Sequence, residues 1–298
     1  MEVLLKVANN KNLNVAKSMG LDEYYTLYED IEESLKRHEE QLKDKIIYCN
    51  CDNPRYSNFW KYFHTNFSRL QLRGLLCSYL DFNGSEFWRY YGGDDSDISK
   101  AEIEYAFSDG SFDNPETDDL LNECDIIITN PPFSLTVEYI KRLMSSGKQF
   151  YVMNKINNIT HAQIFEYVLR EKLWFEQPIK SHTWFNTPDS DEPIDLGLIV
   201  WFTNMDCEHL HKEYTSGLSV ETHQYVKYDN YDALNVDSIN EVPDGYNEEM
   251  GVPINFLGYL NPNQFEIVGC LGAGGIYNKC NATIDGKNIY KRLLIKRK

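Results

Sequence analysis

From Leu21 to Lys45 the apolar positions Tyr24, Tyr28, Ile31, Leu35 and Leu42 fall three, four or seven residues apart, with charges between them. That spacing predicts a surface helix. The run Lys45 to Cys51 is β-branched and aromatic, reads as a strand, and halts at Asp52-Asn53-Pro54. Ser57 is placed to cap a second helix reaching Leu70, and Leu72 to Leu80 reads as a strand. Residues 83 to 100, rich in Gly, Asp and Ser, read as an irregular insertion. Asp125-Ile126-Ile127-Ile128-Thr129 is apolar at successive positions, as a strand buried on both faces of a parallel sheet must be. Further along, a helix is predicted over Ser134–Ser146, a strand over Gln149–Asn154, a helix over Ala162–Glu171 and a strand over Gly197–Asn204. Lys180 to Asp195 lacks periodicity and reads as a loop over the sheet edge. Beyond Asn204 the chain is turn-rich, with a last strand at Tyr290–Lys296.

Strand, helix and strand alternating at this spacing predict a doubly wound α/β sheet. Ligands of such sheets sit at the carboxyl ends of the strands. The buried Asp125–Thr129 strand therefore delivers Asn130-Pro131-Pro132-Phe133 to the ligand edge. An aromatic amine is a poor nucleophile because its lone pair is shared with the ring. An Asn side-chain oxygen and a prolyl carbonyl can accept its two hydrogens and draw the nitrogen toward tetrahedral geometry. Two prolines hold that carbonyl stiff before anything binds. Phe133 offers a flat face to a base turned out of its helix. The motif points to methylation of an amino group. Phe133 in the fourth place favours adenine, whereas a closely related form, usually with Tyr there, serves protein glutamine.

Composition changes this picture in one respect. A content of 42% hydrophobic and 14% aromatic residues is that of a folded chain. No apolar run approaches the roughly 18 residues a membrane span needs, so the chain is read as cytoplasmic and without a membrane partner. The seven cysteines include one close pair, Cys49 and Cys51, with no second Cys/His pair at zinc spacing, so no metal is expected and the thiols are read as reduced core residues. The net charge of −17 is the discordant feature, because proteins that grip nucleic acid present a basic face. Arg55, Lys61, Lys155, Lys180, Lys291, Arg292, Lys296, Arg297 and Lys298 are expected to form that face beside Phe133, with the acidic stretches 29–40 and 94–119 turned away from it.

The chain also resembles the EcoRI-type DNA adenine methyltransferases nearly end to end. The resemblance is carried by Asp22 to Thr26, Ile47 to Arg55 with Ser57-Asn58-Phe59, Asp125 to Leu135, Asn157 to Thr160, Trp201 to Asn204, Lys227 to Ala233 and Met250 to Ile254. It implies a Rossmann-like S-adenosylmethionine-dependent methyltransferase fold with a C-terminal extension and target-recognition loops. It divides the chain into a helical segment 1–45 contributing to the cofactor site, a catalytic core 46–205, and an extension 206–298 that serves DNA recognition. It implies S-adenosylmethionine as methyl donor, without a metal, and a flipped adenine in double-stranded DNA as acceptor. A monomer is expected, and a cognate restriction endonuclease belongs to the same reading.

By motif, Asn130, Pro131, Pro132 and Phe133 carry catalysis. Tyr25 and Thr26, then Asp52, Asn53 and Pro54, then Asp109, Ser111 and Phe112 bind the cofactor. The Asp52–Pro54 loop opens the Ser57 helix, whose positive end favours a carboxylate. The chain departs from the family where Gly110-Ser111-Phe112 stands in place of Gly-Asp-Phe, so that Asp109 or Asp113 must hold the adenine amine or Ser111 must accept more weakly. The short stretch between Trp174 and Trp201 holds Asp189, Asp191, Glu192 and Asp195. Two rivals stay open: a catalytically impaired methyltransferase fold acting as an acidic DNA mimic or partner protein, and a protein-glutamine N5-methyltransferase.

Overall fold

The structure, a computed structural model, describes residues 25–79, 85–93, 102–105, 110–177, 184–187, 190–195, 198–272 and 276–298. These form two compact units of a mixed α/β protein. One comprises the described residues up to Asn154 together with strands β9 (Trp184–Thr187) and β10 (Ser190–Asp195); the other comprises Lys155–Gln177 and Val200–Lys298.

In the first unit, β1 (Tyr25–Thr26) is followed by α1 (Tyr28–Leu35) and the single turn α2 (Glu39–Leu42). Then come β2 (Ile46–Cys49), α3 (Asn58–Thr65), β3 (Gly74–Cys77), β4 (Glu86–Tyr90) and β5 (Glu102–Tyr105). α4 (Asp118–Glu123), β6 (Ile126–Thr129), α5 (Thr136–Ser146) and β7 (Gln149–Lys155) complete it. Six strands run in the order β5-β4-β3-β2-β6-β7. β2 is parallel to β3 and β6, and β6 is parallel to β7, whereas β3, β4 and β5 are antiparallel. All four residues of β2, of β3 and of β6 are buried, as the continuous apolar run Ile126–Ile128 requires. From β2 the chain moves to β3 on one side and later returns to β6 on the other. The carboxyl ends of β2 and β6 therefore flank the point where strand order reverses, the ligand crevice of such sheets.

Three expectations are corrected here. The helix predicted from Leu21 is shorter: Tyr25 and Thr26 are extended and pair with β9, and the helical pattern is broken by a 3₁₀ turn at Lys36–His38; residues 21–24 lie outside the described residues. Within 83–100, β4 is a regular strand, because Phe87, Trp88 and Tyr90 are buried and the surrounding Gly and Asp mark its ends, not its interior. Within Lys180–Asp195, β9 and β10 form an antiparallel pair. Ser190, Ile194 and Asp195 make the pairing and Asp191-Glu192-Pro193 fall in its register shift, so no apolar alternation marks it in the sequence.

The second unit contains α6 (Ala162–Leu169) and β8 (Trp174–Glu176), antiparallel to β11 (Ile199–Thr203). The turn-rich tail proves to be a five-stranded sheet in the order β12-β13-β14-β18-β15. Its strands are β12 (Val226–Lys227), β13 (Leu234–Asn235), β14 (Met250–Pro253), β15 (Phe265–Leu271) and β18 (Arg292–Arg297). β16 (Thr283–Ile284) and β17 (Lys287–Asn288) form a separate hairpin. β12 and β13 have two residues each, too few for periodicity, and β15 is interrupted by a register shift between Ile267 and Gly269; only β18 is expected from sequence. Among the described residues no helix is long and apolar enough to cross a membrane.

Candidate active site

The loop leaving β2 is built by its own side chains. Ser57 precedes α3 with extended backbone and its oxygen accepts from the amides of Phe59 and Trp60 at 3.0 and 3.4 Å, the cap read from sequence. The Asn53 carbonyl accepts from the amides of Tyr56 and Ser57 at 3.0 and 2.8 Å. Its side-chain oxygen accepts from the Arg55 amide at 3.0 Å, so Asn53 is spent on shaping the turn.

Asp52 lies at the centre. Its residue is 8% exposed. One carboxylate oxygen accepts the Ser57 hydroxyl at 2.7 Å and the other accepts the Thr129 hydroxyl. The Cys77 thiol donates to the Asp52 carbonyl at 2.5 Å. Burial pushes the Asp52 carboxyl from 3.8 up to about 6, and the two hydroxyl hydrogen bonds pull the other way. The residue expected to meet the cofactor thus faces inward and ties the end of β2 to the end of β6. Thr129, the last residue of the buried strand, was the readable half of this link. A hydroxyl closing a β-branched apolar strand needs an acceptor, but sequence does not say which.

Asn130-Pro131-Pro132-Phe133 begins where that link ends. Asn130 and Pro132 are half-buried; Pro131 and Phe133 are buried, Phe133 to 7% exposure. The Pro132 carbonyl accepts the Leu135 amide at 3.1 Å. The Thr136 hydroxyl bonds the Phe133 carbonyl at 2.8 Å and Asn154 Oδ1 at 3.1 Å, which fixes the turn to the end of β7.

The remaining residues assigned from sequence come together in part. Thr26 is buried, its hydroxyl 3.2 Å from Met153 Sδ and its carbonyl accepting Asn58 Nδ2 at 2.8 Å, so β1 is held to the first turn of α3. Phe112 packs edge-on against Tyr139 with centroids 4.8 Å apart, and the Tyr139 hydroxyl donates to Asn50 Oδ1 at 2.6 Å. The Ser111 hydroxyl donates to Asp113 Oδ1 at 2.5 Å. Asp109 lies outside the described residues, as does the Tyr25 side chain. Gly110 has φ +67°, and a Cβ there would fall on the Tyr79 carbonyl and the Ser85 side chain. Gly110→Ala is therefore expected to add about 1–3 kcal/mol of backbone strain to that overlap and to lower the urea midpoint markedly; an unchanged midpoint would refute the assignment.

Sequence reasoning missed a second cluster at this edge. Arg55 forms a two-pronged ion pair with Glu86, donates to the Tyr79 hydroxyl at 3.1 Å, and stacks 5.1 Å from the Trp88 ring; Trp88 Nε1 also donates to Glu86 at 3.0 Å. Hydrogen bonding from Arg55 holds the Glu86 carboxyl below its ordinary value, and burial pushes Tyr79 up to about 12. This alters the basic face expected from sequence. Arg55, Arg292, Arg297 and Lys298 all meet carboxylates of their own chain, at Glu86, Asp237, Asp244 and Glu171. Lys61 sits over the Tyr28 ring and Lys291 bonds the Thr160 hydroxyl, while Lys180 lies outside the described residues. Charge already paired inside the protein offers less to a phosphate.

The family model described as adenine-specific methyltransferase EcoRI matches residues 12–298. The chain belongs to that family. It is 36% identical to the type II methyltransferase M.EcoRI of Escherichia coli, over 98% of both chains. It is also 31% identical to the type II methyltransferase M.MpnI of Mycoplasma pneumoniae and 30% identical to M.MgeORF184P of Mycoplasma genitalium, each over 96% of this chain and 98% of the relative. No solved structure matches it. Family membership makes the chain an adenine-specific methyltransferase, and the Asp52–Thr129 link shows how its first-strand loop and its Asn130 turn are held in register.

Proposed function

We propose that this chain transfers a methyl group from S-adenosylmethionine to N6 of an adenine flipped out of double-stranded DNA, on a Rossmann-like core with a C-terminal extension. The observation that carries the reading is the Asn130-Pro131-Pro132-Phe133 turn leaving a buried parallel strand at the strand-order reversal. A monomer working in the cytoplasm beside a cognate restriction endonuclease completes it.

The residues present fit the cofactor. The N-terminus of α3 favours a carboxylate through its dipole, although Ser57 already caps the Phe59 and Trp60 amides, and the Ser111–Asp113 pair offers acceptors to an adenine amine. Bound S-adenosylmethionine supplies a methyl carbon made electrophilic by its sulfonium. Asn130 Oδ1 accepts one hydrogen of the target amine. The Pro132 carbonyl is engaged by Leu135, so the Pro131 carbonyl accepts the other. Drawing both hydrogens out of the ring plane would take the nitrogen lone pair out of conjugation and aim it at the methyl group that bound S-adenosylmethionine would supply. The additional proton on nitrogen then passes to water. No carboxylate base is required, and Asp52, with both oxygens on hydroxyls, is not free to act as one.

Incubating the chain with duplex DNA and methyl-labelled cofactor, then digesting to deoxynucleosides, is expected to yield N6-methyl-2′-deoxyadenosine. Label in cytosine or in a peptide glutamine would overturn the reading. Since Asp113 has the carboxylate that Ser111 lacks, Asp113→Ala is expected to weaken cofactor binding by about ten- to a hundredfold, the loss of one charge-assisted hydrogen bond of roughly 1.5–3 kcal/mol. Unchanged affinity by calorimetry would return the role to another group. The pairing of four basic residues with internal carboxylates favours one rival, an acidic partner protein, and absence of any methyl transfer would support it.

A further inference from the structure

The last stretch of chain is the electrostatic opposite of the whole. Residues 276–298 carry seven basic side chains (Lys279, Lys287, Lys291, Arg292, Lys296, Arg297 and Lys298) against one carboxylate, Asp285, in a protein of net charge −17. Arg292, Arg297 and Lys298 are paired within the protein. Lys279, Lys287 and Lys291 are exposed, and none of them meets a carboxylate among the described residues; Lys291 donates to the uncharged Thr160 hydroxyl. Ile276 and Tyr290 in the same stretch are 83% and 89% exposed, the two most exposed large hydrophobic residues among those described.

This stretch is held as a rigid ribbon. Thr283 pairs with Asn288 and Ile284 with Lys287 across a two-residue turn, Asp285-Gly286, with φ of +51° and +72°. That is the turn whose twist matches a hairpin. Asp229 clasps its tip, one carboxylate oxygen accepting the Gly286 amide at 2.8 Å and the other the Asp285 amide at 3.3 Å. Asn230 holds the hairpin stem, accepting the Thr283 amide and donating to the Asn281 carbonyl, both at 3.0 Å. The side chain of Lys279 lies over Gly269, where an added Cβ would touch its Cε at 3.0 Å. The backbone at Lys291 runs past Gly272, whose amide bonds the Cys280 carbonyl at 3.0 Å. Lys279 and Lys291 thus flank the same end of β15. The Lys227–Ala233 motif, so far without a task, is what fixes the ribbon.

A two-stranded ribbon is marginal by itself; Ile284 packs on the core beneath it and the Asp229 clasp fixes its tip, leaving Lys287 and Asn288 exposed. We propose that the ribbon 283–288 and its flanks carry a phosphate-binding surface for duplex DNA, with Lys279, Lys287 and Lys291 on the backbone. A ribbon of this width is accommodated by the major groove. The inference rests on the DNA reading above and deepens it by locating a contact surface.

The test uses the full chain and sheared genomic duplex DNA, with affinity measured from low to moderate salt. Each phosphate contact contributes about −0.9 to the slope of log affinity against log salt. The triple variant Lys279→Gln/Lys287→Gln/Lys291→Gln is expected to lose roughly 2 to 3 from that slope, with calorimetric affinity for S-adenosylmethionine unchanged. Asp229→Ala supplies a test of opposite sign. Removing a negative charge beside a phosphate surface should tighten binding, whereas releasing the ribbon should weaken it, and a several-fold weakening is expected. A steep wild-type slope that both variants retain overturns the proposal and leaves DNA methylation standing. A wild-type chain with neither DNA affinity nor methyl transfer ends both. Variants impaired only toward single-stranded RNA would reassign the surface to RNA.

Discussion

Asn130→Ala is expected to lower methyl transfer by at least about a hundredfold while leaving S-adenosylmethionine affinity within a few-fold of wild type. The residue is half-buried just past the end of β6, so under the proposed mechanism its loss removes a hydrogen-bond acceptor without opening the core. Deleting one such group typically costs 10²–10³ in turnover. Asn130→Asp separates the two functions an amide could serve. A carboxylate accepts hydrogen bonds but cannot donate them, so the variant should keep much more activity than Asn130→Ala. Single-turnover rates with saturating DNA would measure both. An Asp variant as dead as the Ala variant would mean that Asn130 acts as a donor and that the amine is not held as argued. Near wild-type rates in Asn130→Ala would remove the residue from catalysis altogether.

What could be read in advance was local. Ile126–Ile128 announced a buried parallel strand because three β-branched residues in succession can be covered only when both sheet faces are packed. Ser57 announced a helix start because its hydroxyl satisfies amides two and three residues on. The long-range ties were not legible. Thr129 and Asp52 are 77 residues apart, and Arg55 and Glu86 are 31 apart. Neither spacing encodes a contact; only the β2–β6 pairing and the β3–β4 hairpin create them. β10 was missed for a different reason. Only Ser190, Ile194 and Asp195 pair with β9, and Asp191-Glu192-Pro193 sit in a register shift, so the strand carries no alternating run. In the second unit, β12 and β13 contain two residues each, too few for any pattern. Sequence gives charges and not their partners, so the internal pairing within the expected basic face was not legible. Four of the arginines and lysines assigned to DNA are matched internally, whereas the exposed lysines at 279 and 287, not singled out from sequence, meet no carboxylate among the described residues.

Asp52→Asn is expected to abolish a pH dependence of stability that the wild type shows between about pH 4 and pH 6. The folded carboxyl titrates near 6 and the free one at 3.8. Its native value is raised, so within that window the folded state binds more protons than the unfolded state. Stability contributed by the protonated carboxyl is complete below about 3.8 and is lost as pH rises toward 6, after which the curve is flat. At about 1.4 kcal/mol per unit, the swing is on the order of 3 kcal/mol. Asparagine is nearly isosteric: its oxygen can still accept one hydroxyl, and its amide can donate to the other, since Ser57 and Thr129 hydroxyls both donate and accept. The variant should therefore fold, gain relative to wild type as pH rises from 4 to 6, and retain cofactor affinity. Asp52→Ala should behave otherwise. It strands two buried hydroxyls at about 1–3 kcal/mol each and frees the Asn130 turn from the β2 loop, so turnover should fall together with stability. Urea midpoints for the three proteins from pH 4 to 8, with transfer rates at pH 7.5, decide the matter. Parallel midpoint curves for wild type and Asp52→Asn would show that the carboxyl is not held as described. Equal turnover in the Asn and Ala variants would show that the Asp52 bridge does not position Asn130.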